Sequence, residues 1–194
     1  MSRVRPLTID EIAARGIDVA PFLKDFDELP NSIRTLAYRP DILAATLNLW
    51  TAVIGGGRLP QDLKYLVGHL ASMAAGCRYC SAHTASNAHQ AGASAARLEA
   101  IWDYEASPLF SDAERAAFRF AQAAGQVPNA VTDADFDDLR RWYSEEEILE
   151  FLSVIALYGF FNRWNDTLAT PLESLPRNFA ETHLSAHWDI GRHG

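Results

Sequence analysis

The sequence has few of the features that define several large classes of protein. It contains only two cysteines in 194 residues, too few for a disulfide framework in a chain of this length. Its 11 glycines and 9 prolines are too few for a low-complexity chain. The most apolar stretch, 148–161, is shorter than the ~20 residues of a membrane-spanning helix and contains Glu150. We therefore expect neither a disulfide scaffold nor a membrane protein.

Positive charge is also scarce. The 17 Lys and Arg residues are outnumbered by 25 Asp and Glu, which gives a net charge of -8, and no long basic run occurs. This balance argues against a nucleic-acid partner. The first residues lack the apolar core of a secretion signal, so a cytoplasmic location is expected. The 48% hydrophobic share is that of a globular chain. The length of 194 residues suits one domain or two small ones.

Helical patterns dominate what is present. Apolar residues recur with helical spacing from about residue 41, and no segment has the alternation of a strand. Three capping boxes, at Ser111, Thr132 and Ser144, mark helix starts. We expect an all-α protein with an N-terminal arm at 1–40, a helical domain at 41–170 and a C-terminal tail at 171–194 with a loose end. The predicted helices cover 41–54, 60–75, 77–90, 94–104, 112–124, 133–142, 145–162 and about 179–186.

One internal similarity is visible. An offset of 85 aligns Cys77 and Cys80 with Asn162 and Asn165, and each copy runs from an apolar helix into an Arg-aromatic step. A duplicated helical hairpin would explain the match, and so would chance.

The two cysteines lie three residues apart, in Gly76-Cys-Arg-Tyr-Cys-Ser-Ala-His83. A helix that restarts after Gly76 places Cys77 in its first turn, where free amides favour a thiolate. Cys80 follows at i+3 on the same face, so the two sulfurs can close a disulfide. His83 continues that face and can serve as a general base. The pattern predicts dithiol redox chemistry.

Two other interpretations fit the same residues. Zinc could be held by the two cysteines and His83 with His69 or His89, but structural zinc sites bring a second ligand pair from a distant segment, and none occurs here. In the second interpretation, the two cysteines are simply buried in a helix, His83 lies at the surface, and none of the three has a catalytic or binding role. The scattered tail histidines, at 183, 187 and 193, are expected to be exposed, and no metal site is predicted.

Residues 63–88 (LKYLVGHLASMAAGCRYCSAHTASNA), 162–167 (NRWNDT) and 188–191 (WDIG) resemble the alkylhydroperoxidase D / carboxymuconolactone decarboxylase family, most of all its peroxidase-related branch. The similarity spans roughly residues 30–193. It implies a homo-oligomeric helical bundle with a dithiol site that needs no cofactor. By this resemblance, Cys80 attacks the peroxide and becomes a sulfenic acid. Cys77 then closes a Cys77–Cys80 disulfide, which a dithiol reductant protein or a small thiol reopens.

The proton-transfer residues of that family are altered. The family has a Glu twelve residues before the first Cys, where this chain has Tyr65. It has a His just before the second Cys, where this chain has Tyr79. Its later His lies four residues after the second Cys, a position held here by Thr84, with His83 one residue earlier.

Glu150 aligns with Tyr65 in the internal repeat, and His69 lies one helical turn after Tyr65. Either could accept the thiol proton, although the simpler interpretation of Glu150 is a solvated helix carboxylate. Asn162 and Arg163 are expected beside the cysteines if the two units pack as pseudo-symmetric hairpins, and the alternative is an Arg163–Asp166 pair.

The sequence thus predicts a thiol-dependent peroxidase for organic hydroperoxides or hydrogen peroxide. Two alternatives stay open. One is a carboxymuconolactone decarboxylase-like lyase without thiol chemistry. The other is a non-catalytic, redox-sensing helical oligomer.

Overall fold

The structure is a computed structural model that describes residues 2–18 and 28–194, where all regular structure is helical. The all-α prediction is confirmed. The described helices are α1 (Ile9–Ala13), α2 (Asn31–Leu36), α3 (Pro40–Gly55), α4 (Gln61–Ala74), α5 (Arg78–Gln90), α6 (Ala95–Glu99), α7 (Asp112–Gly125), α8 (Asp133–Leu139), α9 (Glu145–Leu168) and α10 (Ser174–His183), with 3₁₀ turns at Ile101–Asp103 and Gly191–His193.

Helix α4 lies at the centre of the bundle. Ten consecutive residues, Leu63 to Ser72, are buried, because α5, α7 and α9 surround the helix. Glycines permit the close approach: a Cβ at Gly68 would lie 2.5 Å from the Tyr158 ring, and one at Gly125 would lie 2.6 Å from the Ala71 carbonyl oxygen. The central position therefore buries polar side chains of this helix, Lys64 and His69, together with its apolar ones.

Several helix ends follow the sequence signals. Ser111 and Ser144 form reciprocal capping boxes with Glu114 and Glu147. The Thr132 backbone amide donates to the Asp135 carboxylate at 2.7 Å. Gly76, at φ +77°, ends the turn after α4, and the Cys77 amide donates back to the Ser72 carbonyl at 3.0 Å. This is the left-handed termination for which glycine is favoured.

Other boundaries differ from expectation. The segment predicted as a helix over 94–104 divides into α6 and a 3₁₀ turn. Helix α9 extends beyond 162 to Leu168, within the 165–170 stretch that could continue it before Pro171, and ends at Ala169 with φ 51°. The last α-helix begins five residues before the predicted 179, at Ser174.

The expectation of a loose C-terminal end is wrong. Trp188 and His193 are buried, and the Trp188 indole donates to the Arg78 carbonyl at 3.0 Å. His193 is 1% exposed and does not lie in solvent as predicted. The tail therefore packs on the start of α5, beside the two cysteines.

The arm predicted at 1–40 shares the main core, since Leu7, Ile12 and Leu36 are buried in it. The two stretches aligned by the offset of 85 have different shapes: Gly76 separates α4 from α5, whereas α9 runs unbroken through the matching residues. The domain boundaries and the duplication stay predictions. Among the described helices, none has the length and apolarity needed to cross a membrane.

Candidate active site

The start of α5 holds both cysteines. Cys77 is the N-cap residue, and its sulfur accepts a hydrogen bond from the Cys80 backbone amide at 3.3 Å. The two side chains are almost fully buried, Cys77 at 1% and Cys80 at 2% exposure, and both are free thiols. The CxxC therefore lies at the start of a helix, as the sequence predicts.

Cys80 is strongly shielded from water. Burial raises the pKa of its thiol well above the ordinary value, and a hydrogen bond to Cys77 raises it further. The Asn165 amide nitrogen donates to the Cys80 sulfur at 3.5 Å and opposes this shift. The thiol therefore needs a nearby proton acceptor to become a nucleophile at neutral pH.

Cys80 opens onto a cavity of about 180 Å³, and Cys77 is not among the lining residues. The walls are mostly apolar. Trp50 packs edge-on against Tyr158 and Phe161, with ring centroids 5.8 and 5.7 Å apart. The full lining comprises Leu29, Pro30, Ser32, Ile33, Leu47, Trp50, Thr51, Tyr79, Cys80, His83, Asn87, Tyr158, Phe161 and Asn165.

Glu173 contacts two residues that line this cavity, Tyr79 and His83. One carboxylate oxygen, Oε2, lies 2.6 Å from His83 Nε2. The other, Oε1, accepts from the Tyr79 hydroxyl at 2.8 Å and from the Asn31 backbone amide. The Tyr79 hydroxyl in turn accepts from the Ser32 amide at 3.2 Å.

The Glu173 side chain is only 2% exposed. Burial alone would raise its pKa, but the charge and hydrogen bonds of His83, with the Asn31 amide and Tyr79 hydroxyl, leave that pKa below its ordinary value. The pKa of Tyr79 is raised well above 10, mainly by burial and then by the charge of Glu173. At neutral pH, Glu173 is thus an ionised acceptor and Tyr79 a neutral donor.

The structure brings four of the predicted residues together: Cys77, Cys80, Tyr79 and His83. Asn162 and Arg163 lie apart from them, on a separate and more polar cavity of about 400 Å³. Arg163 is not paired with Asp166, which instead contacts Arg192 at 3.3 Å.

The residues considered for proton transfer lie elsewhere. Glu150 contacts the Lys64 ammonium at 2.6 Å and accepts from the Arg58 and Leu59 amides at 3.0 and 3.2 Å. It does not line the Cys80 cavity. Glu150 is therefore neither the solvated carboxylate nor a neighbour of the thiol, and its contacts give it a structural role.

His69 and Tyr65 are buried on α4. His69 Nδ1 lies 2.9 Å from the Ser81 carbonyl oxygen, and burial lowers its pKa to about 4, so the ring is neutral at pH 7. Tyr65 is 8% exposed and close enough to Tyr158 to raise the pKa of that phenol. Neither His69 nor Tyr65 lines the cavity.

Sequence reasoning missed Glu173 and the cavity rings. Glu173 lies 90 residues after His83 in an irregular stretch, and nothing local distinguishes it. Asn165 had one available signal, because the internal offset aligns it with Cys80, the residue that it contacts. Within the described residues, no group of three or more His, Cys, Asp or Glu side chains is arranged to hold a metal ion.

Comparison with known proteins places this chain in a family. The Carboxymuconolactone decarboxylase family profile matches residues 40–123. The debrominase Bmp8 has the same fold over nearly the whole chain. Its apo structure is 31% identical, covers 92% of this chain and 96% of Bmp8, and has a TM-score of 0.84. A cysteine-to-alanine variant of Bmp8 in complex with 2,3,4-tribromopyrrole is 30% identical, with 94% and 97% coverage and a TM-score of 0.85.

Two further proteins are similar over different lengths. A peroxidase-related protein from Ralstonia eutropha JMP134, with an alkylhydroperoxidase AhpD core, shares the fold at 22% identity, with coverage of 92% and 95% and a TM-score of 0.76. The uncharacterized protein YnjA of Escherichia coli (strain K12) is 32% identical over 101 residues, or 52% of this chain. That match spans only 56% of the length of YnjA.

The chain belongs to the alkylhydroperoxidase D-like / carboxymuconolactone decarboxylase family, as its sequence resemblance implied. It also has the alkylhydroperoxidase D-like helical fold.

Proposed function

We propose that the protein is a dithiol oxidoreductase that removes a halogen reductively from a small aromatic ring at Cys80. The observation that carries this proposal is the ring-lined cavity that has Cys80 in its wall. The similarity to the debrominase Bmp8 over 94% of the chain supports the same chemistry.

The dimensions of the cavity suit a single ring. A protein cavity of about 150 Å³ holds benzene, and the volume here is about 180 Å³. The edge-on group of Trp50, Tyr158 and Phe161 offers faces for an aromatic ligand. One end of the Asn165 amide contacts Cys80, while its buried Oδ1 has no hydrogen-bond partner in the described part of the chain. A ring N–H or O–H would satisfy that oxygen.

The reaction balances with the two thiols as the only reductant. The Cys80 thiolate attacks the halogen, so that an S–halogen bond forms, the carbon–halogen bond breaks and the ring carbon takes the proton lost by Cys80. Cys77 then attacks the Cys80 sulfur, halide and a proton leave, and the Cys77–Cys80 disulfide forms. Two electrons pass from the dithiol to the ring. A dithiol protein or small thiol in a reducing, cytoplasmic setting would restore both thiols.

Reduction of an organic hydroperoxide is the second candidate, and the CxxC pattern favours it. The Cys80 thiolate would attack the distal peroxide oxygen, the O–O bond would break and the alkoxide would leave as the alcohol after protonation. Cys77 would then displace water from the Cys80 sulfenic acid and close the disulfide. The apolar walls suit an organic hydroperoxide better than hydrogen peroxide.

The lyase alternative has no use for the dithiol, and a redox sensor has no use for a substrate cavity. The lyase predicts substrate loss with both thiols intact, and the sensor predicts a Cys77–Cys80 disulfide formed once, without sustained turnover under a dithiol reductant. Coupling of substrate loss to disulfide formation therefore distinguishes the lyase, and continued turnover under reductant distinguishes the sensor.

A single-turnover experiment separates these functions. Prereduced protein is mixed with 2,3,4-tribromopyrrole or with cumene hydroperoxide, and bromide, alcohol and free thiols are quantified. We expect one bromide released for each disulfide formed, and no release in Cys80→Ser. Trp50→Leu should slow the reaction, whereas Trp102→Leu, which changes a partly exposed tryptophan outside the cavity lining, should not. Alcohol formation without bromide release would favour the peroxidase, and loss of either substrate with both thiols intact would exclude the dithiol reaction.

A further inference from the structure

The chain lacks the glutamate that its family places before the CxxC, yet a buried carboxylate still lies beside the cavity. Glu173 comes from the stretch just before α10 and not from α4, where Tyr65 occupies the family position. It contacts His83 at 2.6 Å, and His83 lines the same cavity as Cys80. The carboxylate beside His83 thus comes from a different part of the fold than the position before the CxxC.

We propose that Glu173 is a positioning residue that holds His83 as the proton acceptor and donor for Cys80. This inference rests on the proposed thiol chemistry of Cys80, and it adds the residue that enables proton transfer. The family's glutamate position is not involved, since Tyr65 does not line the cavity.

The geometry defines which ring nitrogen serves the thiol. An ionised carboxylate accepts only, so the short contact to Glu173 requires a proton on His83 Nε2 and makes Nδ1 the nitrogen that can exchange a proton with Cys80. Nδ1 makes no hydrogen bond within the described parts of the chain and is left for a group in the cavity. When Cys80 loses its proton, Nδ1 takes it, and the imidazolium is stabilised by the carboxylate behind it. The same proton is then returned to the substrate carbon or alkoxide.

Glu173 is itself fixed by three donors. The Asn31 amide and the Tyr79 hydroxyl contact Oε1, and His83 contacts Oε2. The Tyr79 ring also packs on the His83 imidazole, with centroids 4.6 Å apart. The tyrosine that replaces the family's histidine therefore orients both members of the Glu173–His83 pair.

Other titratable groups surround the pair. Tyr79 and Cys80 lie on α5 itself, and His193, from the last 3₁₀ turn, has its ring 5.8 Å from Tyr79. Asp166 of α9 acts electrostatically on Cys80, and His69 of α4 faces Ser81, on another part of α5. Among these groups, only Glu173 contacts the His83 ring nitrogens within salt-bridge distance.

The test measures alkylation of reduced protein by iodoacetamide between pH 5 and 10, without any substrate. Trypsin separates the two cysteines because it cleaves after Arg78, so mass spectrometry reports Cys80 alone. We expect Glu173→Gln to slow Cys80 alkylation at neutral pH about tenfold, which corresponds to about 1.4 kcal/mol of lost interaction. The rates should approach each other toward pH 10, as hydroxide becomes able to remove the thiol proton without the histidine.

A double-mutant cycle shows whether Glu173 acts through His83. His83→Gln should slow neutral alkylation similarly, and Glu173→Gln added to it should have no further effect. Glu99→Gln is the matched control, because Glu99 contacts His183 at 2.8 Å away from the cavity. It should leave the profile unchanged.

Tyr79→Phe provides a second variant if Glu173→Gln does not fold, since it removes only one donor to the carboxylate. It should also slow neutral alkylation and converge at high pH. An unchanged neutral rate in a folded Glu173→Gln or Tyr79→Phe protein would overturn the proposal. So would a Glu173 effect that persists without His83 or extends equally to pH 10. If instead the proposed function is wrong, the alkylation effects should still be observed, while the substrates are not turned over.

Discussion

Glu150→Gln separates a structural carboxylate from a catalytic one. Lys64 is 1% exposed and Glu150 is 14% exposed, so this is a largely buried ion pair. Lys64 also donates to the Val53 carbonyl at 2.9 Å and to the Gly56 carbonyl, while Glu150 accepts from two backbone amides of the 55–59 turn. The pair thus joins α4, α9 and the turn after α3.

The expected cost follows from these contacts. Removing one partner of a buried pair costs about 3–5 kcal/mol. The two carbonyls still solvate Lys64, and the glutamine oxygen can keep one amide bond, so we expect the low end, about 3 kcal/mol. For a chain of this size, that corresponds to a melting temperature lower by about 6–12 °C.

The assay combines thermal or urea unfolding with the pH profile of Cys80 alkylation. Glu150→Gln should lower stability and leave the alkylation profile unchanged, because Glu150 is not part of the cavity. Glu146→Gln is the control on the same helix: its 3.6 Å contact with Arg58 is exposed on both sides, and its loss should cost under about 1 kcal/mol. A shifted alkylation profile with unchanged stability would refute the structural assignment and restore Glu150 as a proton acceptor.

The pH dependence of the pair has a defined sign. Burial alone would raise the pKa of Glu150, but Lys64 and the two amides outweigh it and hold that pKa below 4.5. The folded carboxyl therefore binds protons less readily than the unfolded one. The stability that ionised Glu150 contributes is complete above the pKa of the unfolded state and is lost as the pH falls through the lower pKa of the folded state.

Three further predictions follow from buried groups. The pKa of His69, lowered by burial from 6.5 to about 4, means that the unfolded chain binds the extra proton, so stability should fall by roughly 3 kcal/mol between pH 7 and pH 4. His69→Gln should flatten that decline in urea titrations, and an equal decline in both proteins would contradict the assignment. Gly68→Ala should destabilise the protein by about 1–3 kcal/mol, because its Cβ would lie 2.5 Å from the Tyr158 ring. The control Gly159→Ala meets no atom within 4 Å and should not destabilise it. Equal melting temperatures of the two variants would show that α9 can move away from Gly68. Trp188→Ala should cost about 3 kcal/mol in urea unfolding, since it leaves the packed tail without its buried indole, and an unchanged midpoint would show that the tail contributes nothing.

Two sequence-based expectations about the site met different outcomes. The CxxC and His83 lie together because they occupy one helix face, and helical spacing is a local property. Asn162 and Arg163 were grouped with them on the basis of pseudo-symmetric hairpins, a tertiary assumption. The continuous α9 helix instead directs Asn165 to Cys80 and leaves Asn162 and Arg163 on another cavity.

The C-terminal tail shows the same limit. Its short, polar sequence predicts a loose end, because no periodic apolar face is visible there. Trp188 and His193 are nevertheless buried, since the start of α5 offers them a carbonyl and a packed surface. Isolated anchor residues of this kind have no signature in a single sequence.

Local sequence patterns were enough to predict the helical class, the capping boxes and the placement of two thiols and a histidine on one helix face. These features depend on hydrogen bonds and side-chain contacts within a few residues. Long-range packing established the central position of α4, the carboxylate that contacts His83, the cysteine that lines the cavity and the pairing of Glu150 with Lys64. Those contacts join residues about 90 positions apart, and their energies arise only when packing excludes water from both partners.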